Sequence, residues 1–312
     1  MLGIPLNSDN VKSRALLLYK HCVPTALCRQ IRGTGVPPVN HAQDARATFK
    51  LHTILKLEKE ENEMARGLPG ADSFSLVTPG LIQAATNIIG APAFWGRYFK
   101  GTSAKSPPEY SHKNEDAVLA QANIKVLPVA QQTGNVNASQ AQGAADAQSN
   151  VADILGTFPE ALLVSQGGQF LMFLDVEGVS AQAPSLSLAY YTGWAQTVVS
   201  FSQGQTNGAV AILPCVYARQ LDNVTWKTLV QANRNGVSCH GAWVARYPGG
   251  CNARDFNNSF AIPKVQLPFD VLVWQYGENC ANGKIDLNQT NPNVADIQAG
   301  FLDKLILPPS GS

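Results

Sequence analysis

Leu171-Met-Phe-Leu-Asp175-Val-Glu177-Gly178 is an apolar run that ends in two carboxylates separated by one residue. On an extended chain residues i and i+2 point to the same side, so Asp175 and Glu177 share a face while Val176 packs behind them. Their Cα atoms then lie ~6–7 Å apart, from a rise of ~3.3 Å per residue. Such a strand end is either an ordinary solvated terminus or the beginning of acid chemistry. The flanking sequence decides which.

Upstream and downstream of this run, strand-like and helix-like segments alternate. Phe94–Phe99 reads as a strand, residues 115–123 as a helix, Ile124–Val129 as a strand, and the Ala-rich stretch from Ser139 to Leu155 as a helix. After the quoted strand come a helix over 185–202, a strand over 209–217, a helix over 225–233, and strands over 241–247 and 269–276. Repeated alternation implies parallel strands joined by crossover helices. Residues 67–312 thus read as one α/β domain, a (β/α)8 TIM-like barrel, since about eight such units in ~250 residues fit that architecture better than an open sheet. No Gly-x-Gly-x-x-Gly turn follows the first strand, which argues against a dinucleotide-binding fold.

In such a barrel the C-terminal strand ends converge on one face, where the site lies. In order they offer Asp72 and Ser73, Arg97 and Tyr98, Gln131 and Gln132, Asp175 and Glu177, then Tyr217. Trp243, Arg246 and Tyr247 follow, then Trp274, Gln275 and Tyr276, with Asp286 at the eighth strand. Carboxylates among flat aromatic rings suit a sugar, whose ring faces stack on Trp or Tyr while acids and amides hold its hydroxyls. Arg97, Gln131, Tyr217, Trp243, Arg246, Trp274 and Gln275 are therefore the expected substrate contacts, and Glu177, Asp175, Asp286 and Asp72 the expected catalytic acids. Mutual repulsion within the pair at 175 and 177 is expected to raise one pKa, as a working acid near neutral pH requires.

Phe-Leu-Asp175-Val-Glu177-Gly, Gly241-Ala-Trp-Val-Ala-Arg-Tyr, and Val273-Trp-Gln-Tyr followed by Gly283-Lys-Ile-Asp286-Leu-Asn resemble the muramidases of glycoside hydrolase family 25. They look closer still to the Rv2525c-like glycoside-hydrolase-like domain, a domain of unknown function, which Phe94-Trp-Gly-Arg-Tyr, Val126-Leu-Pro-Val and Gly143-Ala-Ala-Asp146-Ala also match. The resemblance runs from about residue 67 to 295. It implies a modified barrel with a saccharide cleft, Glu177 as proton donor, Asp175 as the carboxylate that stabilises developing positive charge, and Asp286 as a further cleft acid. Asp72 departs from the pattern, because Phe74 to Thr78 intervene before Pro79 where a Pro usually follows sooner. The implied partner is a cell-wall polysaccharide of the peptidoglycan type, hydrolysed or, in the alternative, held by a non-catalytic carbohydrate-binding barrel.

Other chemistries fit poorly. After residue 66 only His112 and His240 remain, and neither sits near a Gly-x-Ser-x-Gly elbow. The cysteines match no zinc spacing, so neither metal nor cofactor is expected. Cys215, Cys239, Cys251 and Cys280 could form two disulfides, for which three connectivities exist, or remain buried thiols. Disulfides and the family resemblance point to a secreted or envelope location, although no signal peptide is visible. Net charge is +1, yet residues 1–66 carry 10 Lys+Arg against 6 Asp+Glu, leaving 13 against 16 for the remainder. The slightly acidic larger part argues against a nucleic-acid surface, and no apolar run approaches the ~18 residues of a membrane span.

Residues 1–66 read differently, as an atypical, poorly ordered or short helical extension. Thr34 to Thr48 looks like a translated intergenic repeat found at the ends of many unrelated bacterial reading frames, and Lys56 to Glu63 fits a short solvated helix. The repeat implies a start further downstream or a replaced signal peptide, so this segment carries no functional reading.

Overall fold

The computed structural model describes residues 66–100, 109–131, 134–177 and 184–310. The expected helix over 56–63, the repeat-like stretch and Gln132 lie outside these residues. Eight strands close a barrel in sequence order: β1 (Pro69–Asp72), β2 (Phe94–Lys100), β3 (Lys125–Gln131), β4 (Gln169–Val176), β5 (Ala211–Arg219), β6 (Ala242–Ala245), β7 (Val271–Asn279) and β8 (Ile285–Thr290). Crossovers carry α1 (Pro79–Ile89), α2 (His112–Gln121), α3 (Gln140–Thr157), α4 (Glu160–Ser165), α5 (Leu188–Gln205), α6 (Asn223–Arg234) and the single turn α7 (Asn258–Ala261). Side-chain caps from Thr78, Ser139, Ser187, Asp222 and Asn257 set the starts of α1, α3, α5, α6 and α7. The Ser187 hydroxyl accepts from the Tyr190 N–H, so α5 begins at Leu188 rather than at 185.

The expectation of parallel strands throughout needs one correction. Strands β1 to β7 pair in parallel, but β8 runs antiparallel to both β7 and β1. Only Cys280–Gly283 and Lys284 separate β7 from β8, too short for a crossover helix, so the chain must turn back as a hairpin. Asn279, Ala281, Asn282 and Gly283 make this turn with left-handed φ values of 57°, 50°, 61° and 77°, a region that Asn and Gly tolerate best. The reversal places Asp286 near the start of β8, on the same end of the barrel as the C-terminal ends of the other strands.

Strand alternation divides the hydrophobic residues between two cores. From β4, Phe170, Met172, Leu174 and Val176 face the outer layer under the helices. Leu171 and Phe173 face the barrel interior, with Phe94, Leu127, Val129, Cys215 and Val273. Phe301, Leu302 and Leu305 join that interior cluster; Phe301 meets Phe94 edge-on at 5.1 Å and Ile306 bridges to Val126 in β3. The interior is therefore filled at the N-terminal end of the strands.

Helices α3 and α5 touch backbone to backbone. A Cβ on Gly193 would collide with the Gln140 carbonyl, and one on Gly143 with the Tyr190 carbonyl. Beside this contact the buried Asp146 accepts from the Tyr190 hydroxyl at 2.8 Å and the Gln142 amide at 2.8 Å. The Gly143-Ala-Ala-Asp146 motif is thus a helix-packing device whose residues do not line the cleft described below. Gly193→Ala must push two backbones apart and is expected to cost about 1–3 kcal/mol, measurable as a lower urea midpoint with an unchanged slope.

Among the described residues one disulfide forms, Cys251–Cys280, while Cys215 and Cys239 are buried free thiols. The outcome mixes the two alternatives left open by the cysteine count. The bridge ties the segment after β6 to the β7–β8 turn and closes a separation of 29 residues, worth about 3.6 kcal/mol in the chain-entropy account. Among the described residues no helix is long and apolar enough to cross a membrane.

Candidate active site

At the open end of the barrel a cleft of about 170 Å³ is lined by Asp72, Asp175, Glu177, Asp286 and Glu278, together with Tyr98, Tyr217, Trp243, Tyr247, Arg219, Gln275 and Asn279. All four acids singled out in the sequence reach it. Asp175 and Glu177 arrive together because they share one parity on β4, following the inward Leu171 and Phe173. Asp175 is buried at 4% exposure, and Glu177 is half-buried nearer the mouth. Asp72 and Asp286 are direct cross-strand partners in the β1–β8 pair. Gly96 on β2 leaves room for this arrangement, since a Cβ there would press on the Asp72 side chain at 2.7 Å and the Trp243 ring at 3.0 Å.

A polar network fixes the Asp72 and Asp286 wall. Asp72 Oδ2 accepts from Asn288 Nδ2 at 2.7 Å and Gln275 Nε2 at 2.9 Å. Gln275 Nε2 also donates to Asp286 Oδ2 at 3.2 Å, and the Asn279 N–H donates to Asp286 Oδ1 at 2.7 Å. Trp243 Nε1 donates to Asn288 Oδ1 at 2.9 Å, orienting that amide so that its NH2 faces Asp72. The hydroxyls of Tyr217 and Tyr247 both donate to Gln275 Oε1, at 2.7 and 2.9 Å.

Burial and crowding of negative charge shift these groups. Burial, then the neighbouring Asp286 charge, holds the Asp72 carboxyl well above the usual carboxylate range, against the opposing amide hydrogen bonds from Asn288 and Gln275. Asp286 is pushed up to about 6, chiefly by burial, with Glu278 and Glu177 adding to the shift and the Asn279 N–H opposing it. Burial, reinforced by the surrounding acids, also raises the Tyr98 hydroxyl well above its ordinary value, so it remains a donor.

Trp274, Arg97 and Arg246, three of the expected substrate contacts, are placed elsewhere for one reason. Trp274 is 1% exposed and faces outward, packed on Phe256, Phe260 and Tyr276, with its indole N–H donating to the Arg246 carbonyl at 3.0 Å. Arg97 also faces outward, fully buried in an ion pair with Glu115. Arg246 leaves the cleft to donate to Gln220 Oε1 at 2.8 Å and to lie over the Phe260 ring. Their neighbours Gln275, Tyr98 and Tyr247 line the cleft instead, since successive residues on a strand face opposite sides. Gln131, in register with Asp175 on β4, is half-buried with its carbonyl oxygen lacking a hydrogen-bond partner among the described residues, and it does not line the cleft.

Tyr217, Trp243 and Gln275 are at the cleft as expected. Asn288, Arg219, Glu278 and Asn279 were missed. Asn288 follows Asp286 by two, the same-side spacing already used at 175 and 177, which was the available signal. Arg219 follows Tyr217 by two in the same way. Among the described residues no group of three or more His, Cys, Asp and Glu is placed to hold a metal ion.

Fold and site together define a class: a modified eight-stranded α/β barrel whose open end carries a carboxylate cleft walled by tyrosines and a tryptophan. No protein-family model matches the chain, and no curated protein matches it. Among solved structures it is similar to an uncharacterized B. stearothermophilus protein, at 23% identity and a TM-score of 0.57, covering 77% of this chain and 100% of that one. It is also similar to a muramidase from Acremonium alcalophilum (20% identity, TM-score 0.44, 76% and 99% covered). A third similar structure is the catalytic domain of endolysin ply40 from bacteriophage P40 of Listeria monocytogenes (16%, 0.43, 76% and 98%). The first of these shares the barrel fold.

Proposed function

We propose that residues 67–312 form a glycoside-hydrolase-like domain that acts on a cell-wall polysaccharide of the peptidoglycan type, with residues 1–66 as an extension outside it. The observation that carries this reading is the meeting of Asp72, Asp175, Glu177 and Asp286 in one cleft beside Tyr98, Tyr217, Trp243 and Tyr247. Hydrolysis of a glycosidic bond passes through an oxocarbenium-like state and needs one carboxyl group to protonate the leaving oxygen and another to face the positive charge. Glu177, nearer solvent at the mouth, is the proton donor in this reading. Asp175, deeper on the same strand face, stabilises the charge at the anomeric carbon, and an acetamido group of the substrate serves as internal nucleophile. A water-poor wall of acids favours a developing cation far more than bulk water does. Tyr98 and Tyr247 are the half-buried aromatic rings of the cleft and offer surface to a sugar ring, while the buried Tyr217 and Trp243 support the cleft floor. The family resemblance of the strand-end motifs supports the same substrate class. The disulfide fits an oxidising compartment, hence a secreted or envelope location.

The test is turbidity clearance of purified peptidoglycan by the wild type and Glu177→Gln. Loss of a general acid is expected to slow clearance by about 10²–10⁴-fold; equal rates sink the assignment. Glycan binding unchanged by Glu177→Gln, with no hydrolysis by the wild type at any pH, marks the alternative of a non-catalytic carbohydrate-binding barrel.

A further inference from the structure

Gln275 sits among the cleft residues, yet its hydrogen-bonding capacity is spent inside the protein. A carboxamide offers two lone pairs on oxygen and two N–H groups. Tyr217 and Tyr247 fill the oxygen, and Asp72 and Asp286 take the N–H groups. Nothing remains for a hydroxyl of a sugar. Its orientation is also locked, because a flipped amide would turn its carbonyl oxygen toward two acids. Gln275 is 2% exposed and joins side chains from β1, β5 and β8 with Tyr247 beyond β6.

We propose that Gln275 is a positioning residue that sets the separation and orientation of Asp72 and Asp286, with Tyr217 and Tyr247 fixing it from behind, and that it does not hold substrate. The assignment rests on the reading of the cleft as a glycan site. It also determines which oxygens remain available. Asp72 Oδ2 already accepts from Gln275 and Asn288, so Oδ1 is the oxygen left for a proton or a ligand. Asp286 uses Oδ1 for the Asn279 N–H and Oδ2 for Gln275. Like charges on direct cross-strand partners repel, and the Gln275 NH2 between them offsets that repulsion.

Two variants separate positioning from substrate contact. Gln275→Met keeps length and removes all four hydrogen bonds. Gln275→Glu keeps shape, but its second oxygen bonds to Asp72 or Asp286 only when it carries a proton, which makes the geometry pH-dependent. The charged and titratable groups around it are Asp72 on β1, Tyr98 on β2, Asp175 and Glu177 on β4, Tyr217 and Arg219 on β5, Tyr247 beyond β6, Glu278 on β7 and Asp286 on β8. Six carboxyl groups then crowd one cleft with a single arginine among its lining residues, so the extra proton is held tightly.

With soluble peptidoglycan fragments, Gln275→Met is expected to lower kcat by about 10- to 100-fold while KM moves by less than about threefold. Gln275→Glu is expected to recover part of that loss at acid pH, its profile displaced downward relative to the wild type, whereas Gln275→Met does not recover at any pH. A raised KM at unchanged kcat makes Gln275 a substrate ligand and overturns the proposal, as does a Gln275→Glu profile that superimposes on the wild type. A second measurement needs no substrate: side-chain carboxyl carbon NMR titration of Asp72 and Asp286. Both titrations are expected to move in Gln275→Met, and unchanged titrations overturn the proposal. Wild-type protein inert toward every glycan, with the Asp72 and Asp286 titrations nonetheless moved, removes the glycan reading and leaves Gln275 as the residue that positions the acid pair.

Discussion

Arg97→Ala is expected to cost about 3–5 kcal/mol of folding stability, the range for removing one partner from a buried ion pair. Arg97 and Glu115 are both fully buried, joined by Nε to Oε1 at 2.7 Å and an outer guanidinium nitrogen to Oε2 at 3.1 Å. The same guanidinium donates to the Ser73 carbonyl at 2.7 Å and the Glu109 carbonyl at 3.0 Å. Glu115 in turn accepts the N–H groups of Val77 and Ser111, each at 2.8 Å. The pair thus clamps the chain that leaves β1, directly after Asp72, to the chain that enters α2. Alanine leaves a buried carboxylate without its guanidinium counter-charge and removes the guanidinium donor from two carbonyls. Lysine supplies one point charge where the planar fork made four contacts, so Arg97→Lys is expected to restore less than half of the loss. Urea denaturation of the three proteins reads this directly. A loss below about 1 kcal/mol for Arg97→Ala, the value of an exposed pair, contradicts the clamp.

Asp286→Asn should change the pH dependence of stability by as much as about 3 kcal/mol. The folded pKa of about 6 lies above the ordinary 3.8, so the folded protein holds this proton more tightly than the unfolded chain. Below about pH 4 both states are protonated and the residue costs nothing. Between about 4 and 6 the unfolded chain ionises first and stability falls as pH rises, reaching a plateau penalty of about 3 kcal/mol at ~1.4 kcal/mol per pKa unit. Asparagine removes that slope. It also turns an NH2 toward either the Asn279 N–H or the Gln275 amide, which gives back about 1–2 kcal/mol. The variant is therefore expected to be more stable than the wild type at pH 7.5 and no more stable at pH 4. Denaturation midpoints across that range decide it, and parallel curves for the two proteins refute the shift. Greater stability bought with a missing cleft acid is the usual relation between stability and function at a charged site.

The alternation of segments made the barrel legible, because apolar strands such as 171–174 and Ala-rich helices such as 139–155 carry different periods. Reversal of β8 was not legible from periodicity, since one strand looks alike in either direction. Its signal lay in the connection: Asn279-Cys-Ala-Asn-Gly283 is hairpin chemistry and too short for a helix. At the site, Asp175 and Glu177 are legible from their same-side spacing, and Asp72 and Asp286 from their places at strand ends. The errors came from taking adjacent residues together, Trp274 with Gln275 and Arg246 with Tyr247, although one of each pair must face away. Asp72 was placed by its strand despite the departure that follows it, and the Arg97 clamp on Ser73 holds that departing segment. The network around Gln275 joins residues that no local pattern connects, and only closure of the barrel brings them together.

That closure has a consequence for biogenesis. Asn288 and Asp72 lie 216 residues apart in sequence yet share a 2.7 Å hydrogen bond, and both neighbours of β8 must be in place before Asp286 meets Asp72. Pairings of such long range form late, because the entropy of closing the intervening chain must be overcome first. A nascent chain still lacking its last strand therefore has the Asp175 and Glu177 face but no opposite wall, and the cleft comes into being with the final turn of the fold.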